Sequence, residues 1–252
     1  MNLIAISGKA QSGKDVIAKM IQILTGDNDK YKKILLEGRE LEIKALLNDY
    51  KYFKSDWSIQ KFASPLKEMA AILFDVELAD FEYNEFKESK LNELWKLVKL
   101  SVNNEEFLFS SKEQCNLIKR VCERKKIDYT YAEKSMTYRE ALIKIGDALR
   151  SKFHPLVFVN SLFQRLQRDG NYIISDLRYM NEAEFLSARN AHLLRVNSER
   201  ATIIDHKSET SLDNYPFSNT ITNNRGFKEL AQEVYSYLLQ RKIITKDEVV
   251  RV

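Results

Sequence analysis

Residues Ile6 to Lys19 read ISGKAQSGKDVIAK, and the fold turns on what this stretch is. The pattern G-x-x-x-x-G-K-[ST] is a phosphate-binding loop when a buried strand precedes it and a helix follows. Gly8, Gly13 and Lys14 stand in place, but Asp15 replaces the usual hydroxyl residue. The flanks fit. Leu3, Ile4, Ala5 and Ile6 run without alternation, as in a central parallel strand covered on both faces. Ile17, Met20, Ile21 and Leu24 then recur at helical spacing. Glycines let backbone N–H groups cradle phosphate oxygens. The helix N-terminus adds partial positive charge, and a lysine bridges the β- and γ-phosphates. Gly8, Lys9, Ala10, Gln11, Ser12, Gly13, Lys14, Asp15 and Val16 are therefore candidates to bind ATP. Asp15 can hold Mg²⁺ directly or through water, or simply favour the helix N-terminus.

Outward from the loop, strands alternate with helices. WSIQKF (57–62) reads as a strand, and Ser64-Pro65 opens the helix LKEMAAILF. NYIISD and AHLLRV are buried strands, NTITN is a short one, and FKELAQEVYSYLLQ is a closing amphipathic helix. This pattern predicts an α/β fold with a parallel sheet flanked by helices. Residues 34–54 and 80–135 read as mostly helical, and the second stretch as an insertion in a single domain of 1–252.

Composition narrows the class. The 252 residues carry 44% hydrophobic side chains and a net charge of +4. That charge is too modest to imply nucleic-acid binding. Cys115 and Cys122, seven apart on an expected helix, suit no mutual disulfide. The three histidines show no zinc spacing. No apolar run is long enough to span a membrane, so no membrane partner is expected, and a reduced cytoplasmic setting is.

Three further groups carry candidate chemistry. Asp176 ends a buried strand, where ligands collect in open α/β sheets; Arg178 and Glu182 follow it. They can serve a substrate and Mg²⁺, or merely pair with one another. Thr137-x-x-Glu140 is a capping box that opens a helix over 138–152. On it, Arg139, Gly146 and Arg150 share one stripe, with Gly146 allowing close approach of a ligand. The polar stretch DHKSETSLDN (205–214) is a plain loop, or a cover that closes over ATP. Asn223-Asn224 before Gly226 gives a weak signal for an adenine rim.

Taken together, LIAISGKAQSGKD, KFASPLKEMA, YREALIKIGDALR, SDLRYMNEAEF, DHKSETSLDN and ITNNRGFKEL resemble the bacteriophage deoxynucleoside monophosphate kinases. The resemblance covers about two-thirds of the chain and implies a P-loop kinase fold. It implies ATP and Mg²⁺ as cofactors and small-molecule nucleotides as substrates, in the host cytoplasm if phage-encoded. It leaves a homodimer open. It implies catalytic roles for Lys14, Arg150, Asp176 and Arg178, with Asp15 and Asp176 near the metal. It places Lys67, Glu68, Arg139, Gly146, Asp147, Arg150, Phe158, Asp176, Arg178 and Glu182 against the acceptor. Asp147 and Phe158 depart from that family, which often has threonine and tryptophan there. The chain is also similar to the animal-type phosphomevalonate kinases, which share the loop and an S-E-x-x-L-D segment. A nucleotide-binding regulator without turnover is the remaining alternative.

Overall fold

The computed structural model describes residues 1–49, 54–103, 105–109, 112–202 and 206–245. Along the chain, β1 (Asn2–Gly8) leads to α1 (Lys14–Leu24), α2 (Asp29–Glu37), α3 (Glu40–Asn48) and β2 (Trp57–Gln60). Next come α4 (Ser64–Phe74), α5 (Asn84–Glu88), β3 (Leu97–Val102), β4 (Glu105–Phe109), α6 (Lys112–Lys125), β5 (Tyr129–Lys134) and α7 (Tyr138–Ala148). Then follow α8 (Val157–Phe163), β6 (Asn171–Leu177), α9 (Met180–Ser187) and β7 (His192–Asn197). Last are α10 (Lys207–Thr210), β8 (Asn219–Thr222) and α11 (Phe227–Gln240). The chain divides into two compact units, Met1–Ser64 with Leu156–Val252, and Pro65–Pro155. A proline stands at each crossing, Pro65 in the first turn of α4, where its missing N–H costs nothing, and Pro155 ahead of α8.

The first unit is built on a five-stranded parallel sheet in the order β2-β6-β1-β7-β8. Its centre is β1, buried from Leu3 onward, as its unbroken apolar run requires. Ile4 pairs in register with Ile173 of β6 and with His192 of β7. Ile17, Met20, Ile21 and Leu24 of α1 and Leu230, Val234 and Leu238 of α11 join the same core. Each such fully buried side chain contributes roughly 1.5–3 kcal/mol of transfer free energy. Successive strands fall on opposite sides of β1, so its carboxyl end is the switch point where open sheets form their ligand crevice. The phosphate loop leaves β1 there. The β1–β6 register also shifts between Ala5 and Ser7, just before the loop.

The stretch 34–54, read as mostly helical, is helical up to Asn48 but belongs to two helices. Asn28 caps α2 through its side chain, and Gly38 ends it before α3 begins. Residues 50–53 lie outside the described residues.

The second unit departs further from expectation. Where 80–135 reads as mostly helical, β3 pairs antiparallel with both β4 and β5. The signal was present as alternation in LVKLSV, which buries Val98 and Leu100 against Cys115. High charge masked it: Lys99 pairs diagonally with Glu106 of β4 and Lys96 lies 4.0 Å from Glu133. The β3 end turns at Asn103 with φ 51, a left-handed conformation that asparagine tolerates without a glycine. An aromatic cluster packs beside α7. Tyr138 stacks on Phe86 at 4.4 Å and meets Phe74 edge-on at 5.6 Å. Cys115 and Cys122 are buried and free on α6. Among the described residues, no helix is long and apolar enough to cross a membrane.

Candidate active site

The phosphate loop has the geometry its glycines demand. Gly13 precedes α1 with φ 96, in the left-handed region. A Cβ on Gly8 would lie 2.7 Å from the Val196 carbonyl, so only glycine lets the loop pass that close to β7. No side chain among the described residues caps α1. Its first N–H groups, which lack intrahelical partners, therefore face the crevice. Lys14 is 8% exposed, and its ammonium donates to the carbonyls of Gly8 and Lys9 at 2.6 Å each. Burial, with the positive charge of Arg178 next, lowers its pKa to about 8. The group stays charged at neutral pH.

Asp15 is the first residue after Lys14 on α1 and is exposed. Its carboxylate accepts from the Ser175 hydroxyl of β6 at 2.9 Å and lies 3.3 Å from the Lys61 ammonium. The structure thus supplies Asp15 with its own positive partner. Asp176 faces a different task. Its two oxygens accept from the backbone N–H groups of Phe62 and Ala63 at 2.7 and 2.9 Å. It anchors the turn from β2 into α4. Asp176→Ala strips two N–H groups of charge-assisted acceptors, so a loss of about 2 kcal/mol is expected, or roughly 4–8 °C in Tm. An unchanged Tm would contradict that anchoring role.

Glu182 is also spent on backbone. Its carboxylate accepts from the N–H groups of Arg178 and Tyr179 at 3.0 and 3.1 Å and caps α9. Arg178 is thereby fixed at its main chain, while its guanidinium pairs with buried Glu209 of α10. The stretch 205–214, expected as a plain loop or a cover over ATP, is tied to the phosphate loop from His206 onward; Asp205 lies outside the described residues. Glu209 also accepts from the Ala10 N–H at 2.6 Å. Asp213 accepts from Arg195 at 2.6 Å and lies 3.5 Å from the Lys9 ammonium. Asn223 donates to the Ser12 carbonyl at 3.0 Å, tying the end of β8 to the loop. Beside it, a cavity of about 320 Å³ is lined by Lys9, Arg195, Asn197, Ser198 and Asn224, among others. Phe158 is buried in α8.

The remaining candidates belong to the second unit. Lys67 pairs with Glu82 at 2.6 Å, and Glu68 is half-buried on the same helix. Arg139 pairs with Glu88 and approaches Asn84 at 3.4 Å. Along the stripe expected over 138–152, Gly146 and Arg150 are neighbours, although the α-helix itself stops at Ala148. After α7 the chain widens into a π-helical turn, Leu149–Phe153, closed by the His154 N–H on the Leu149 carbonyl. A Cβ on Gly146 would meet the Arg150 guanidinium at 3.1 Å and Leu66 at 3.2 Å. In this structure a side chain at 146 would press on both of these neighbours. Asp147 lies 4.0 Å from Arg150, so its negative charge has a partner.

The fit of the residues to a divalent cation is uneven. Asp15 offers exposed carboxylate oxygen, the donor a hard cation takes. Asp176 has both oxygens engaged by N–H groups. Among the described residues no group of three or more His, Cys, Asp or Glu side chains is placed to hold a metal. Kinase magnesium draws most of its ligands from phosphates and water, so one protein carboxylate suffices.

The family model for deoxynucleotide monophosphate kinase matches residues 2–234. The chain belongs to that family. It is accordingly an enzyme that phosphorylates a deoxynucleoside monophosphate, on a P-loop kinase fold. No curated protein matches it.

Proposed function

We propose that this deoxynucleotide monophosphate kinase transfers the γ-phosphate of ATP to its acceptor, working as one P-loop kinase domain over 1–252. The observation that carries the reading is the uncapped N-terminus of α1 behind left-handed Gly13, with the Lys14 ammonium folded onto the loop. Gly8 to Val16 would take the ATP phosphates. The neighbouring cavity, with Asn224 on its wall and Asn223 beside it, suits the adenosine end.

The acceptor is a phosphate monoester, already ionised near neutral pH, so no general base is required. One of its oxygens forms a bond to the γ-phosphorus as the bond from that phosphorus to the β-phosphate oxygen breaks. ADP departs with the electron pair. The protein's share is positioning and charge neutralisation. Lys14 would exchange its two carbonyl partners for phosphate oxygens, and Arg178 would stabilise the phosphoryl group in transit. Asp15 would hold Mg²⁺, directly or through water, and the ion would supply further neutralisation of the phosphates. Arg139 and Arg150 are assigned to the acceptor on the resemblance alone, together with Lys67, Glu68 and Asp147. Asp176, Glu182 and Phe158 support the site through backbone anchoring and packing. A cytoplasmic location and a bacteriophage source belong to the same reading.

Coupled ADP release across the deoxynucleoside and ribonucleoside monophosphates tests it. Release from ATP that depends on at least one deoxynucleoside monophosphate is expected. Release with none of them would overturn the assignment.

A further inference from the structure

Glu209 is a buried carboxylate, 6% exposed, that the phosphoryl transfer outlined above does not use. A buried charge is costly unless its partners are well placed, and here both oxygens have one. One accepts from the Ala10 N–H of the phosphate loop at 2.6 Å, the other from Arg178. Its helix has four residues and is held from outside. Asp213, four positions on, grips Arg195 and Lys9, while the Thr202 N–H donates to the Ala10 carbonyl at 3.0 Å. The segment therefore fixes the lip of the loop and the arginine with one side chain.

We propose that Glu209 is a positioning residue for phosphoryl transfer, setting the Arg178 guanidinium against the phosphate loop. The inference rests on the kinase reading and deepens it. A carboxylate that bridges the loop backbone and the arginine couples the two groups that must meet the same phosphate chain. Pre-set geometry of this kind contributes to rate through kcat more than through substrate affinity.

The test is a double-mutant cycle on dNMP-dependent ADP release. Glu209→Gln keeps an acceptor for the Ala10 N–H but removes the charge that holds Arg178. We expect kcat to fall about 10- to 100-fold, with the KM for ATP moving less than about threefold. In an Arg178→Ala background the same change costs less than about threefold, because the group it positions is gone. A purely structural role would multiply the two penalties instead, and that result overturns the proposal. Wild-type kcat in Glu209→Gln overturns it too. If Glu209→Gln does not fold, Glu209→Asp runs the same cycle with a shorter arm and the charge retained. Wild-type protein with no dNMP-dependent release is a separate outcome, which overturns the kinase reading itself.

Discussion

Lys14→Met removes turnover and leaves the fold standing. The side chain it replaces is almost fully buried, and its charged end donates to two carbonyls of its own loop. Methionine fills nearly the same volume. What it removes is a full positive charge where negative charge builds between the β- and γ-phosphates. Loss of one such preorganised group costs about 10²–10³ in kcat, and a charged one belongs at the upper end. Stability should move the other way. A lysine whose pKa falls to about 8 has its charged form disfavoured by folding. That penalty is complete below pH 8 and is relieved as the pH rises from about 8 toward the ordinary lysine value of 10.5. Lys14→Met should match or exceed wild type in Tm at neutral pH. The wild-type protein should gain on it between pH 8 and 10. Unchanged turnover in the variant would remove Lys14 from the reaction.

The parts of the molecule legible in the sequence are those with local signals. β1 announces itself by four consecutive apolar residues, and α7 by a capping box whose two reciprocal hydrogen bonds are both present. β6, β7, β8 and α11 lie within a residue or two of their expected bounds for the same reason. The antiparallel sheet of the second unit was hidden because its alternation is written partly in lysine and glutamate. Those residues read as a solvated helix when their cross-strand partners are unknown.

The site was less legible, for a physical reason. Asp176 and Glu182 lie near Arg178 in sequence, which suggests ion pairs or ligands. Their partners include four backbone N–H groups, and backbone amides carry no letter. Glu209 stands 31 residues from Arg178 and 199 from Ala10. Its local trace is the stretch DHKSETSLDN, whose S-E-x-x-L-D spacing sets Glu209 and Asp213 four apart without naming their partners. Lys61 and Ser175 reach Asp15 only through the sheet order, which brings the ends of β2 and β6 beside α1. The puzzle of Asp15 therefore had its answer in tertiary structure: the carboxylate is received by a lysine and a hydroxyl.

Arg178→Ala is expected to have the larger kinetic effect of the two arginine-site variants, and its cause can be separated from stability. An arginine that neutralises a phosphoryl group in transit is worth about 10³–10⁵ in kcat. Removing Arg178 also strands the Glu209 carboxylate, which keeps only the Ala10 N–H. That stability loss is about 1–2 kcal/mol, at the low end for a charged hydrogen bond, because the arginine is 31% exposed and solvent screens the pair. A deficit of that size leaves the protein folded at assay temperature, so it cannot account for a thousandfold fall in kcat. Arg178→Lys sharpens the comparison. Lysine restores a point charge but not the planar fork that can hold a carboxylate and a phosphate together. It should recover most of the lost Tm and only part of the lost rate. Recovery of both in parallel would mean that Arg178 acts through stability alone, and a wild-type rate in Arg178→Ala would exclude it from the reaction.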